Sequence, residues 1–443
     1  MSKRTESQNL QQSNEAPLEP NKALRSNSTH LIALTLNSGL PIFTRKRGDG
    51  EQLSFSTIGS LYGIYTFGKS TNTILENTKT VDGKAVLWKE FADSVLLIIC
   101  AANKNEEEMI KVLDVVYNAM ILRVGLTEIK DPKNLERLKR ELKNIYPLID
   151  RILDSLNDVD KVNHPTDITG MLECALYEEN QVLQAYLETH VENMASMYGC
   201  VLLHGRIAVA TLSWWTLTPI ERLLLAFVTQ YETPSVARDI PVFLPDKSPE
   251  VPYRLVMSQL MPGVEICTLC GPSPAITEVE AIVNFTWKNC SEVLKGVVDF
   301  KSLPDNLVLD SNVMGLLLVN KEYEKYLLCN EPNTEAGSKS NGPPSVHRTN
   351  ILKTFYKTMS PMLSTGVQKY IDADAQAGKS ENESVIREPV EAFWSSEFYK
   401  CHAVTLGSNQ LYALFPSMIP RHLTGVITRQ TIQTLLSEKM FIW

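Results

Sequence analysis

Apolar and polar positions along this chain follow one order three times. Two short apolar strands meet at a tight turn, and a stripe at helical spacing, further strands and a closing helix follow. The first round opens with HLIALTLNSGLPIFTRK (His30 to Lys46), the second with CVLLHGRIAVATLSWW (Cys200 to Trp215), the third with VMGLLLVNKEYEKYLLC (Val313 to Cys329). A supersecondary plan written repeatedly means one fold used several times.

In the first round, FSTIGSLYGIYTFG (Phe55 to Gly68) places Phe55, Ile58, Leu61, Tyr62 and Tyr65 at helical spacing. Gly59 and Gly63 lie one turn apart, so a neighbouring backbone can approach closely. AVLWKEF (Ala85 to Phe91) and SVLLIICAA (Ser94 to Ala102) read as strands joined through Ala92-Asp93. The second is apolar on both faces, which predicts the middle of a covered sheet. A helix follows from Glu106 to Val124, and another from Asp131-Pro132 to Leu156 with the stripe Leu135, Leu138, Leu142, Ile145, Ile149, Ile152 and Leu156. The second round reads as a helix (Gln181 to Met197), the hairpin turned at His204-Gly205, a helix from Pro219, three strands and a helix from Thr277 to Val298. The third has a helix from His347, the strands Phe398 to Leu406 and Gln410 to Pro416, and a helix from Arg421 to Met440. Each round is therefore an α/β sandwich: a mostly antiparallel sheet flanked by helices. The expected organisation is a disordered tail (1–28), then units at 29–156, 171–300 and 305–443, with a linker at Asn157 to Gly170 and insertions near 330–345 and 373–384. The tail has no aromatic residue, so it buries too little apolar surface to offset chain entropy. A phosphorylated or partner-binding tail is the alternative.

Composition narrows the classes. A length of 443 residues, 44% hydrophobic and 21% charged, supplies ordinary buried cores. A net charge of −8 argues against a nucleic-acid binder, which would carry a basic face. Eight scattered cysteines form no disulfide framework, and neither a signal peptide nor a run of about 20 apolar residues is present. The expected setting is cytoplasmic, with reduced thiols.

Candidate chemistry is sparse. CTLC (Cys267 to Cys270) reads as structural thiols, with half a zinc site or a redox pair as alternatives. His204 and His402 read as structural. Phosphate-loop, dinucleotide, HExxH and GxSxG patterns are absent, so no catalytic residue, cofactor or metal is expected. Trp88 and the pair Trp214-Trp215 read as core packing or as exposed interface contacts. NLERLKRELK (Asn134 to Lys143) reads as a solvated helix face or as a patch for acidic lipid heads.

FSTIGSLYGIYTFGKS, VLWKEFADSVLLI, VGLTEIKDPKNLERLKREL, SWW, ARDIPVFLPDKSPEVPYRLV and LCGPSP together resemble the Fuzzy family of planar cell polarity effectors. The likeness is specific from Thr29 to Ser273 and weaker beyond. It implies three longin domains and a place in a ciliogenesis complex at the cytoskeleton and basal body of the cilium. Implied partners are Inturned, a WD-repeat planar polarity effector, a Rab-like small GTPase and a phosphoinositide membrane surface. The implied role is a non-catalytic subunit that, paired with Inturned, promotes nucleotide exchange. An adaptor that recruits the GTP-loaded GTPase and cargo without exchange is the alternative. Carried over from longin exchange factors, partner contact falls on Phe55, Ile58, Ser60, Leu61, Tyr62 and Tyr65 of the helix, and on Val86, Trp88 and Phe91 of the strand.

Overall fold

A computed structural model describes residues 28–437 apart from 50, 82, 103, 105, 158–170, 178, 232–237, 296–302, 304–306, 308, 331–344 and 377–390. The expected tail except Ser28, which is buried, the linker except Asn157, most of the first insertion and the end of the second lie outside the described residues.

The first unit runs β1 (Thr29–Thr35), β2 (Pro41–Arg47), α1 (Phe55–Ser70), β3 (Asn77–Lys79), β4 (Lys84–Phe91), β5 (Val95–Ala102) and α2 (Glu106–Val124). Its five strands lie in the order β2-β1-β5-β4-β3, so the doubly apolar β5 is central. Ala92 and Asp93 both have positive φ, as a two-residue hairpin turn that follows strand twist requires. β4 alternates strictly: Val86 and Trp88 face α1, while Ala85, Leu87 and Phe91 face α2. The stretch expected as one helix after Asp131 is instead α4 (Leu135–Leu142) and α5 (Tyr146–Asn157), preceded by α3 (Leu126–Lys130). A 3-10 turn at Lys143–Ile145 separates α4 from α5, and Pro147 lies in the first turn of α5, where a missing N–H is tolerated. The apolar stripe still faces inward, with Leu138, Leu142, Ile145, Ile149, Ile152 and Leu156 buried.

The second unit has β6 (Leu172–Glu173), α6 (Asn180–Asn193), β7 (Tyr198–Leu203), β8 (Arg206–Ala210), α7 (Leu212–Trp215), α8 (Pro219–Tyr231), β9 (Arg238–Leu244), β10 (Ser248–Met261), β11 (Val264–Cys270), α9 (Ile276–Trp287) and α10 (Ser291–Lys295). Its sheet order, β8-β7-β11-β10-β9, repeats the first. The hairpin stops at Ala210, and the Thr211 hydroxyl caps α7, so Ser213, Trp214 and Trp215 are helical rather than extended.

The third unit has β12 (Gly315–Asn320), β13 (Lys325–Cys329), α11 (Ser345–Gln376), β14 (Glu391–Ser395), β15 (Tyr399–Leu406), β16 (Asn409–Pro416) and α12 (Arg421–Ser437). The order β13-β12-β16-β15-β14 is the same plan again. β3 and β14 are additional edge strands beyond those the sequence pattern shows.

The units pack against one another. α2 lies between its own sheet and the elements β9 and α8 of the second unit, so Ala119 to Leu122 are all buried. The second and third units share one strand. β6 runs parallel to β13, with Leu172 N–H bonding Glu324 O (3.2 Å) and Cys174 N–H bonding Tyr326 O (2.7 Å). On its other side Ala175 N–H bonds Ile207 O of β8 (2.8 Å), and Cys174 bridges Ile207 in parallel. The first and third units meet where Lys357 of α11 pairs with Glu108 of α2 at 3.1 Å.

Candidate partner-docking face

α1 begins at Ser54, whose hydroxyl accepts from the Thr57 amide at 3.1 Å and so satisfies one unpaired donor of the first turn. Its inner side sits on β1, β4 and β5. Ile58 and Tyr65 are buried, and Leu61 and Tyr62 are half-buried. Polar atoms fix the seat. The Tyr62 hydroxyl donates to Leu36 O (2.8 Å), and the Trp88 indole N–H donates to Leu61 O (3.2 Å). At the far end Glu90 accepts from the Tyr65 hydroxyl (2.6 Å) and the Lys69 ammonium (2.7 Å). Burial pushes the Glu90 carboxyl up, but Lys69 and Tyr65 together outweigh it and hold the group below its ordinary range. Tyr65 is raised, by burial first and then by Glu90.

The outer side is different. Phe55, Ile64 and Phe67 are 77%, 55% and 72% exposed. Gly59 and Gly63 stand beside them, and a Cβ at either would meet nothing within 4 Å. Ser56 and Ser60 complete this side and are exposed. The helix is therefore apolar on both faces while the described residues cover only one, the pattern of a helix that meets a partner.

The nine residues expected at partner contacts thus divide. Phe55 and Ser60 lie on the open side. Leu61 and Tyr62 line its margin. Ile58, Tyr65, Val86 and Trp88 lie beneath α1 and can act only by holding it. Phe91 is on the opposite face of the sheet, stacked on Tyr117 with ring centroids 4.3 Å apart, so it is core rather than contact. Ile64 and Phe67 were not among the expected residues. Their signal was the absence of a polar face on this helix.

Cys267 and Cys270 lie within β11 and point into cores on opposite sides of the sheet, so the two thiols do not converge. A hydrogen bond with Cys200, and burial, push the Cys267 thiol up; burial pushes Cys270 to about 11. Among the described residues no group of three or more His, Cys, Asp or Glu converges as a metal site. Trp88 and Trp214 are buried, while Trp215 lies between the Lys325 ammonium (4.4 Å from the ring centre) and Arg222 (5.1 Å). Lys139 and Arg140 of α4 fall on its polar side, and Lys139 pairs with Glu136 at 2.8 Å. A cavity of about 60 Å³ between the first two units, lined by Leu122, Ile145, Leu148, Val228 and Val242, is too small for a nucleotide.

Three family models match in succession: the first longin domain of FUZ, MON1 and HPS1 over residues 29–152, the second over 194–288 and the third over 312–439. Protein fuzzy homolog of Xenopus tropicalis is 31% identical over 389 residues, covering 86% of this chain and 89% of that protein. The Rattus norvegicus protein of the same name is 35% identical over 338 residues, covering 74% and 79%. The Homo sapiens one is 34% identical over 338 residues, covering 74% and 78%.

Proposed function

The chain belongs to the Fuzzy family of three-longin proteins, and from that premise we propose that it is a non-catalytic subunit of a planar polarity and ciliogenesis effector complex. It pairs with Inturned through its first longin domain, and the pair binds a Rab-type GTPase and promotes nucleotide exchange at the ciliary base. The WD-repeat effector and a phosphoinositide surface belong to the same reading. One observation carries it: the open side of α1, where Phe55, Ile64 and Phe67 stand exposed beside two glycines with free space above them. Exchange of this kind needs no acid or base of its own. A surface that binds the nucleotide-free GTPase more tightly than the loaded one shifts the population. The subunit alone is then inactive, because half of the docking surface comes from its partner.

The test is GDP release from the GTPase with both longin subunits present, alongside binding to the GDP-bound, GTP-bound and nucleotide-free forms. Acceleration with preference for the nucleotide-free form supports exchange. Preference for the GTP-bound form without acceleration assigns the adaptor role instead.

A further inference from the structure

The two long helices of the first domain are seated differently. Of the 19 residues of α2 nine are buried, whereas of the 16 of α1 only Ile58 and Tyr65 are, so apolar packing does little to fix how far α1 is rolled about its axis. Polar contacts with the sheet set that angle. In the middle of α1 the Tyr62 hydroxyl reaches Leu36 O, and the Trp88 indole reaches Leu61 O. Beyond Tyr62, among the described residues, one side chain of the sheet accepts hydrogen bonds from α1, and it is Glu90. The alternation of β4 brings Glu90 to the same side as Val86 and Trp88, beneath the C-terminal turns of the helix. Its Oε2 accepts from the Tyr65 hydroxyl at 2.6 Å and from the Lys69 ammonium at 2.7 Å.

Tyr65 and Lys69 are one turn apart on one side of the helix. Phe67 lies about 200° round the axis from Tyr65, and Ile64 about 100° in the other direction. Holding the first pair therefore aims the second. A roll of about 20° would carry a side chain at roughly 5–6 Å from the axis through about 2 Å. The core of an interface packs as densely as a protein interior, so a displacement of that size is enough to lose its fit.

We propose that Glu90, which is not among the nine residues expected at partner contacts, is a positioning residue of the docking face. It fixes the roll of the C-terminal turns of α1, and so the direction in which Ile64 and Phe67 meet a partner, without touching that partner. The proposal rests on the reading of the α1 face as the docking surface.

The test measures affinity of the full chain for the proposed longin partner in four forms: Phe67→Ser, Glu90→Ala, both together, and Glu90→Gln. Ordering Ile64 and Phe67 afresh on binding should make Glu90→Ala about tenfold weaker. The Gln amide oxygen can still accept from Tyr65 and Lys69, so Glu90→Gln should return to within about threefold of the native chain. Because Glu90 acts through Phe67, adding Glu90→Ala to Phe67→Ser should cost less than about threefold more. A general structural role would instead cost the same in both backgrounds, and that result would overturn the proposal. Hydrogen exchange should quicken at the last turns of α1 in Glu90→Ala and stay unchanged in β5. Should Glu90→Ala fail to fold, Tyr65→Phe with Lys69→Met removes the same two bonds from the helix side and must give the same tenfold loss. Weakening by Phe67→Ser with none on breaking the Glu90 bonds would sink the role of Glu90 and leave the docking face standing. No weakening by Phe67→Ser would remove the docking face itself, and the proposal with it.

Discussion

Replacing Phe67 by Ser and, separately, Ile58 by Ala tests the two sides of α1 against each other. Phe67 is 72% exposed and Ile58 only 7%. Ser and Phe have similar helix propensities, and an exposed side chain loses few contacts, so Phe67→Ser should change stability by no more than about 0.5 kcal/mol. Ile58→Ala removes buried carbons beneath the helix and should cost about 2–5 kcal/mol. Binding should reverse the ranking. A phenylalanine carries roughly 200 Å² of surface, of which the exposed share is about 140 Å². At about 25 cal/mol per Å², its burial by a partner is worth at most about 3.5 kcal/mol. Interface truncations that matter cost about 2 kcal/mol or more, so Phe67→Ser should weaken association roughly 30- to 300-fold. Thermal unfolding measures the first quantity, and titration against the proposed partners, Inturned and then the nucleotide-free GTPase, measures the second. A Phe67→Ser protein that folds normally and binds both with unchanged affinity would refute the docking role of this face.

Glu173 should give the junction of the second and third domains a pH dependence. Burial raises its carboxyl from the ordinary 4.5 to about 7, outweighing Arg206 and Tyr326. Between those values the unfolded chain is ionised while the folded chain keeps the proton, so stability should fall as pH rises from about 4.5 to about 7 and level off above, by on the order of 2–3 kcal/mol. Glu173→Gln should flatten that slope in urea titrations; an unchanged slope would locate it elsewhere. Gly125 has φ +81° and a Cβ there would meet the Phe243 ring at 2.9 Å, whereas Gly83, also at φ +81°, faces open space. Both alanine variants should lose about 1–3 kcal/mol of stability to backbone strain, and Gly125→Ala should lose more, because it also wedges the first two domains apart. Equal losses would mean the domain contact yields freely. All eight cysteines are buried, so native alkylation with iodoacetamide should label none rapidly, and Cys267→Ala should stay folded without releasing zinc. A fast-reacting Cys267 would revive the redox reading.

The α1 site was only partly legible in sequence. Ile58, Leu61, Tyr62 and Tyr65 recur at helical spacing, and that pattern located the helix. Phe55 shares that spacing yet stands open, as do Ile64 and Phe67 outside the stripe, and periodicity alone does not tell a covered apolar position from an open one. On β4 the period of two is visible, but Val86 and Trp88 go under α1 and Phe91 under α2 only because helices cover both faces of the sheet.

The sequence by itself determined the threefold plan, the hairpins and their turns, the central place of β5, and the absence of familiar catalytic motifs. Those features are local: spacing of apolar residues, positive-φ turn residues and short motifs act within a few turns of chain. The tertiary structure decided the rest. It broke the Asp131 to Leu156 stripe into two helices and turned Trp214 into the core. It also placed Met171 to Leu176 between two sheets and, among the described residues, left the outer side of α1 uncovered. Each depends on partners distant along the chain, and Glu173 shows why: Tyr326, one of the groups that satisfies its carboxylate, lies on a strand of another domain.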